Sequence, residues 1–240
     1  MKKSSSIIVL VCILFMQTLF AQFETRPRLV EAGFFGGPTI MWASPKTAGY
    51  ESEGAKIGGV YGIGVDINLV QTLQNYYFHT GINARHIRTE LSFFDNYVVD
   101  ANTIKDSSHV RSVYNMAYLS IPVAIKLKTD PFGRFVIFGL IGMDNSICVS
   151  SKSNDNVKKP NFDQDFNKID NYKKTFFLRE ALLVSVGFDF IIKGNTKASF
   201  AFAFNNGFTN AFRKTYVNDL TKQAVKANTR GFEFQFGFIF

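Results

Sequence analysis

The last eleven residues limit what this chain can fold into. They read Arg230-Gly231-Phe232-Glu233-Phe234-Gln235-Phe236-Gly237-Phe238-Ile239-Phe240, with Phe at every even position from 232 to 240. Successive side chains on a strand point to opposite faces. As a strand, this segment has one face of phenylalanine rings and another of mostly small or polar groups. A helix would scatter the same rings around its circumference. A soluble sandwich turns its apolar face inward and its polar groups outward. A membrane barrel reverses this, with apolar groups toward lipid and polar groups toward the lumen. One strand alone does not separate the two cases.

Further segments repeat the pattern. Tyr61, Ile63, Val65, Ile67 and Leu69 alternate with Gly62, Gly64, Asp66 and Asn68. Leu119, Ile121, Val123, Ile125 and Leu127 alternate with Ser120, Pro122, Ala124, Lys126 and Lys128. Leu182 to Phe190 and Phe200 to Phe204 do the same, and residues 76–91 carry a weaker version. Residues 134–146 are apolar on both parities and residues 29–42 are rich in glycine, so their facing stays open. Glycine or charge on most of the non-greasy faces favours the membrane case. The expected fold is all-β: an eight-stranded antiparallel up-and-down transmembrane β-barrel. Its strands are expected near 29–42, 56–69, 76–91, 113–128, 134–146, 176–193, 197–210 and 230–240. The connections at 70–75, 129–133 and 194–196 are short, while those at 43–55, 92–112, 147–175 and 211–229 are long and polar. Strict alternation of this kind suits short periplasmic turns and long outer loops, and puts both mature ends in the periplasm.

The start of the chain reads as an address. Lys2 and Lys3 precede an apolar stretch from Ile7 to Met16, and Leu19-Phe20-Ala21 precedes Gln22. These are the parts of a secretory signal peptide over residues 1–21, leaving 22–240 as the barrel. Beyond it the longest clean apolar run, Phe135 to Met143, stops at Asp144 and is too short for a membrane helix. An apolar content of 46% excludes disorder for the bulk of the chain. The formal charge of +8 forms no nucleic-acid motif, so nucleic acid is not an expected partner. Cys12 lies within the signal, which leaves Cys148 unpaired, a passive residue at a strand end.

Two motifs add a resemblance. Tyr118-Leu119-Ser120-Ile121-Pro122-Val123-Ala124-Ile125-Lys126 resembles a strand of the PorT-like outer-membrane β-barrel family of Bacteroidota. Phe204-Asn205-Asn206-Gly207-Phe208-Thr209-Asn210 resembles the end of that family's penultimate strand. Phe236, Phe238 and the terminal Phe240 look like the C-terminal signal read by the barrel-assembly machinery. The resemblance implies a cell outer-membrane location and that machinery as a partner during insertion. The family includes a component of type IX protein secretion, so secretion-machinery proteins are a further partner class it implies.

An eight-stranded barrel is only wide enough for its own side chains, so a general diffusion pore is excluded. Its inward charges must satisfy one another. The expected lumen cluster is Asp66, His79, Arg85, Lys126, Asp189 and Glu233, with a structural role. Pairing Leu69 with Tyr76 sets Asp66 opposite His79 and Gly62 opposite Asn83. A three-residue turn at Gly194–Thr196 sets Asp189 opposite Ala201 and Ser185 opposite Asn205.

No catalytic, cofactor or metal residue is assigned. His86 and His109, the latter beside Ser107 and Ser108, are the groups a lipid-modifying enzyme would use, but no spacing specifies a triad. Asp163, Asp165 and Asn167 begin like a calcium loop, but Lys168 and Lys174 stand where glycine and a bidentate glutamate are required. The glycines of residues 58–64 precede no helix, so they are not a phosphate loop. Residues 152–174 hold six Lys against four Asp. Arg213, Lys214, Lys222 and Lys226 gather near a short helix expected at Asn218–Ala227. Such basic loops suit lipopolysaccharide phosphates or plain solvation equally. The expected function is a non-enzymatic outer-membrane barrel acting structurally or through its loops, in contact with outer-membrane lipids and lipopolysaccharide. The alternatives are an accessory of type IX secretion and a lipid-modifying enzyme.

Overall fold

The alternation of apolar and polar residues produces strands long enough to pair along their whole length and close on themselves. A computed structural model describes residues 28–70, 72–96, 107–159 and 162–240. The expected signal peptide lies outside the described residues. The strands are β1 (Val30–Pro45), β2 (Tyr50–Asn68), β3 (Tyr76–Asn96), β4 (Ser107–Lys128), β5 (Phe135–Lys159), β6 (Phe162–Asp170), β7 (Leu178–Lys193), β8 (Thr196–Gly207) and β9 (Ala227–Ile239). All pairings between them are antiparallel. Eight strands form the ring β1-β2-β3-β4-β5-β7-β8-β9, closed by β9 on β1 and by β4 on β5. β6 stands outside the ring and pairs only with the last part of β5. Closure leaves no exposed edge within the wall.

The ring has a measurable stagger. From Ile137, register partners run through Phe188, Phe200, Phe236, Gly36, Tyr61, Ala84 and Leu119 back to Ile147. The return point is 147 − 137 = 10 residues further along β5. Such a stagger in eight strands corresponds to a strand tilt of roughly 40° and an interior that side chains fill. The short connections, the start of β1 and Phe240 lie at one end of the tube, called here the turn end. The long hairpins lie at the loop end.

Facing follows parity. Phe232, Phe234, Phe236, Phe238 and Phe240 are all exposed on the outer wall, while Glu233 between them is fully buried. Tyr61 and Ile63 face out, and Asp66 and Asn68 face in. On the strands whose sequence left facing open, Phe34 and Ile40 point out with Glu31 and Met41 inside; Phe135, Ile137 and Ile141 point out with Val136, Phe138 and Asp144 inside. Phenylalanines of β7, β8 and β9 pack across strands, as with Phe188 on Phe200 at 5.0 Å and Phe202 on Phe232 at 5.2 Å. Cross-strand aromatic pairs of this kind reinforce register.

The structure departs from the sequence reading in three places. The β7–β8 register is offset by two residues: Asp189 faces Ser199 and Ser185 faces Ala203. Lys193 pairs directly with Thr196, so the turn holds two residues rather than three. Gly194 takes a left-handed φ of 58° there, and an irregularity falls between Ile191 and Lys193. Gly194 suits this turn because it carries no Cβ. Second, the strands continue well past the expected limits at the loop end, and residues 147–175, read as a loop, contain the rest of β5 and all of β6. Lys152, Asn154, Asn156 and Lys158 make that extension polar, so apolar alternation did not mark it. Third, Asn218–Ala227 is not a helix but a tight turn closed by a bridge between Val217 and Ala224. The backbone NH groups of Leu220 and Thr221 donate to Asn218 Oδ1, and this side-chain competition replaces helical bonding.

Candidate functional site

The interior is built in layers, and each layer follows from which inward residues the tilted strands bring level. At the turn end, Asp66 of β2 sits opposite His79 of β3, with His79 Nδ1 2.6 Å from Asp66 Oδ1. Lys126 Nζ donates to the other oxygen of Asp66 at 2.8 Å. Lys128, two residues along β4 on the same face, reaches Glu31 at 2.6 Å, Asp66 at 3.1 Å and Asp189 at 3.9 Å. Lys197 also pairs with Glu31 at 2.7 Å, and Ser199 Oγ donates to Asp189 at 2.6 Å. Three lysines therefore face three carboxylates. Lys126 and Lys128 also lie over the rings of Phe138 and Tyr77.

The middle layer uses arginine. Arg85 of β3 pairs with Glu233 of β9 through Nη1 and with Asp144 of β5 through Nη2 at 3.2 Å. Arg179 of β7 approaches the same Asp144 oxygen at 3.5 Å and donates to Thr229 Oγ1 and Asn205 Oδ1. Asn205 Nδ2 and Ser146 Oγ also donate to Asp144. Two cations thus balance two carboxylates in a fully buried site, where an unpaired charge would cost several kcal/mol.

Between these layers lies a cavity of about 80 Å³ bordered by Asp66, His79, Asn83, Arg85 and Gln235. Asn83 Oδ1 and Arg85 Nε have no protein partner, and the volume suits a few ordered waters.

Toward the loop end the interior becomes apolar. Met41, Ile87, Leu91, Phe93, Tyr114, Met116, Tyr118, Cys148 and Val157 form one packed cluster. The segment between β8 and β9 folds down onto it and contributes Ala211, Phe212 and Val225, with Tyr216 packed alongside. Asn218 fixes that segment to the wall: its Nδ2 donates to the Tyr50 hydroxyl at 3.0 Å and to the Phe94 carbonyl at 2.8 Å. The tube is thus filled by two charge layers and an apolar stopper. Above the stopper, Asp95, Asp155, Lys173, Lys174, Tyr216 and Asp219 border a second, open cavity of about 550 Å³.

Of the residues expected in the lumen, Asp66, Arg85, Lys126, Asp189 and Glu233 are buried and His79 is half-buried against Asp66, and they fall into two groups. Asp66, His79, Lys126 and Asp189 belong to the turn-end layer, and Arg85 and Glu233 to the middle layer. Phe236, Phe238 and Phe240 lie on the outer wall. His86 is on the outer wall, stacked on Tyr61 at 5.9 Å, and His109 meets the edge of Phe94 at 5.2 Å. Asp163 and Asp165 lie on β6, where both accept from Asn156 Nδ2. Among the described residues, no three His, Cys, Asp or Glu side chains group as a metal site.

A family model described as an outer membrane protein beta-barrel domain matches residues 20–213. The chain belongs to this outer-membrane β-barrel family. Its location is the outer membrane, which it crosses by strands; no helix among the described residues is long and apolar enough to do so. Similar solved structures include Neisserial surface protein A, at 12% identity and a TM-score of 0.39, covering 88% of this chain and 94% of that one. OprG of Pseudomonas aeruginosa matches at 10% identity and 0.43, covering 88% and 95%. Ail, the attachment invasion locus protein of Yersinia pestis, matches at 9% identity and 0.34, covering 89% and 100%. A search of curated proteins gave no match.

The sequence reading of this barrel missed Glu31, Lys128, Asp144, Arg179 and Lys197. Lys128 and Arg179 carry a signal, since each shares the inward parity of its strand. Glu31 and Asp144 carry none, because the facing of β1 and β5 is decided only by their neighbours in the ring.

Proposed function

We propose that this barrel is non-enzymatic and works as a rigid outer-membrane platform whose loop end makes the contacts. The observation that carries the reading is the filled lumen: ion pairs in two layers and an apolar stopper leave no path for a solute. The hairpins β3–β4 and β5–β6 continue past the apolar outer wall as paired strands with mostly polar outward residues, Phe94 being an exposed exception, which is the form of a presented surface rather than of floppy loops. In this reading the turn end and both chain termini face the periplasm, the hairpins face outward, and the surroundings are outer-membrane lipids and lipopolysaccharide. Phe236, Phe238 and Phe240 serve as the assembly signal during insertion, and their exposure on the last strand supports that role. The PorT-like likeness of Tyr118–Lys126 and Phe204–Asn210 is consistent with this class of small barrel.

The test is co-purification in mild detergent from the native membrane, with conductance measured in planar bilayers. The expected result is a barrel that retains lipid, brings down no stoichiometric secretion component and gives no steady conductance. Recovery of a stable complex with secretion-machinery proteins would move the assignment to the accessory role. Steady channel currents would overturn the filled-lumen argument.

A further inference from the structure

The outer wall changes chemistry at one height on β3, β4 and β5. Toward the turn end the outward side chains are apolar and exposed, with Ile82, Leu119 and Ile147 in neighbouring positions. Just loopward on β3 come His86 and Arg88, both exposed. Arg88 pairs in register with Asn115, and Asn115 pairs with Lys152, which is also exposed. Arg88 and Lys152 are therefore two strands apart, a backbone separation of about 10 Å. Two long cationic side chains can close that distance around one phosphate, with the Asn115 amide between them.

β6 sets Asp170 opposite Lys152 in register, without a salt bridge between their side chains. Among the described residues, neither Arg88 nor Lys152 has an ion-pair partner. Their neighbours differ: Lys56 pairs with Glu90 at 2.5 Å, and Arg111 pairs with Glu53 at 3.1 Å and with Glu90 at 3.7 Å. Elsewhere on the wall Arg230, half-buried and also without an ion pair among the described residues, donates to Ser44 Oγ at 2.7 Å. Two cations without ion pairs, Arg88 and Lys152, thus stand close together at the edge of the greasy band. Cations in that position meet the phosphates of lipid headgroups while the apolar residues beneath meet acyl chains.

We propose that His86, Arg88, Asn115 and Lys152 form a binding site for a phosphate of lipid A, the membrane-embedded part of lipopolysaccharide. The proposal rests on the reading that the loop end faces the outer leaflet. Arg88 and Lys152 hold the phosphate, Asn115 donates its amide to a phosphate oxygen, and His86 borders the site where headgroup gives way to chain.

The experiment is native mass spectrometry of the full chain in detergent micelles, titrated with diphosphorylated lipid A and separately with dephosphorylated lipid A. The wild type should retain one phosphorylated lipid. The double variant R88Q/K152Q should bind it roughly 30-fold more weakly, from two surface cations lost, and should match the wild type with the dephosphorylated lipid. The variant K173Q/K174Q loses the same charge at the open cavity and should bind as wild type. Equal weakening in both variants, or equal binding of the two lipids, would overturn the site. Heat-modifiable migration on gels reports that each variant remains a folded barrel. Orientation is read separately: in intact cells an impermeant maleimide should label K173C and not D130C. The reverse labelling would defeat the orientation while leaving the micelle result to stand or fall by itself.

Discussion

Arg85 on β3 crosses the lumen to Glu233 on β9, a partner 148 residues away in sequence and separated from it in the wall by β1 and β2. The wall hydrogen bonds join only neighbouring strands, whereas this pair ties opposite parts of the ring together. Asp144 joins the same layer from β5 and Arg179 from β7. The layer therefore braces the barrel across its diameter.

Removing one member should be costly and removing a matched pair should not. Glu233→Ala leaves Arg85 and Arg179 sharing Asp144, an uncompensated buried charge that costs about 3–5 kcal/mol. Arg85→Leu combined with Glu233→Leu leaves Arg179 and Asp144 balanced and should cost less than either single change. Urea unfolding in lipid vesicles, followed by fluorescence of Trp42, the chain's one tryptophan, measures both. Strictly additive losses would show that the four charges do not act as a unit.

How much of this was readable depends on what each residue's neighbours in sequence could say. The short 70–75 connection fixes a register by counting, and Asp66 stands opposite His79 in the structure. Across Gly194 the same counting slipped by two: a left-handed glycine closes a turn one residue shorter than the spacing suggested, and the irregularity between Ile191 and Lys193 adds the second. A slip of two preserves parity, so Asp189 still points inward. Asp144 and Glu31 were hidden, since parity has no meaning on strands that are apolar or glycine-rich on both faces. The apolar stopper was hidden for a different reason. Tyr114, Met116 and Tyr118 lie on the inward parity of β4, but the rule that lumens are polar holds only for the half of the tube that nothing plugs. Phe212 and Val225, in a segment otherwise rich in lysine, supply that plug.

Gly37 should tolerate no side chain. A Cβ there would overlap the Phe234 carbonyl oxygen of β9. The β1–β9 register skips residues 37 and 38, where Pro38 has no NH to offer the ladder. Gly37→Ala should cost about 1–3 kcal/mol through forced backbone displacement. Alanine at Gly139, which has open space around it, is the control and should change the unfolding midpoint little. Equal midpoints for the two variants would show that the β1–β9 seam can relax.

Cys148 should be chemically silent in the folded barrel. It is 2% exposed and packed in the stopper, with its Sγ donating to the Ser150 carbonyl. Buried thiols lack the access that modification requires. A charged maleimide should leave Cys148 unmodified over hours in micelles and label it within minutes after unfolding in urea, as read by intact mass. Fast labelling of the folded form would mean that the stopper opens.

The stopper's hold on the wall should be weakest at high pH and at Asn218. Burial raises the Tyr50 hydroxyl above its ordinary value of 10.0, opposed by the Asn218 hydrogen bond. Burial likewise raises Tyr216, and the neighbouring Tyr114 raises it further. Both tyrosines lie at the mouth, loopward of the lipid-facing band. A hydroxyl whose folded value is raised contributes stability that is complete below the ordinary value and is lost as pH rises above it. Trypsin cleavage after Lys214 and Lys222 should therefore be slow at pH 8 and faster at about pH 10.5, the Tyr titration range, while the barrel itself stays heat-modifiable. Asn218→Ala removes the bonds to Tyr50 and Phe94 and those that close the turn, and should give fast cleavage already at pH 8. A loss of about 1–3 kcal/mol in segment docking corresponds to a roughly 5- to 150-fold rise in cleavage rate. An unchanged rate in that variant would show that Phe212 and Val225 hold the stopper by packing alone.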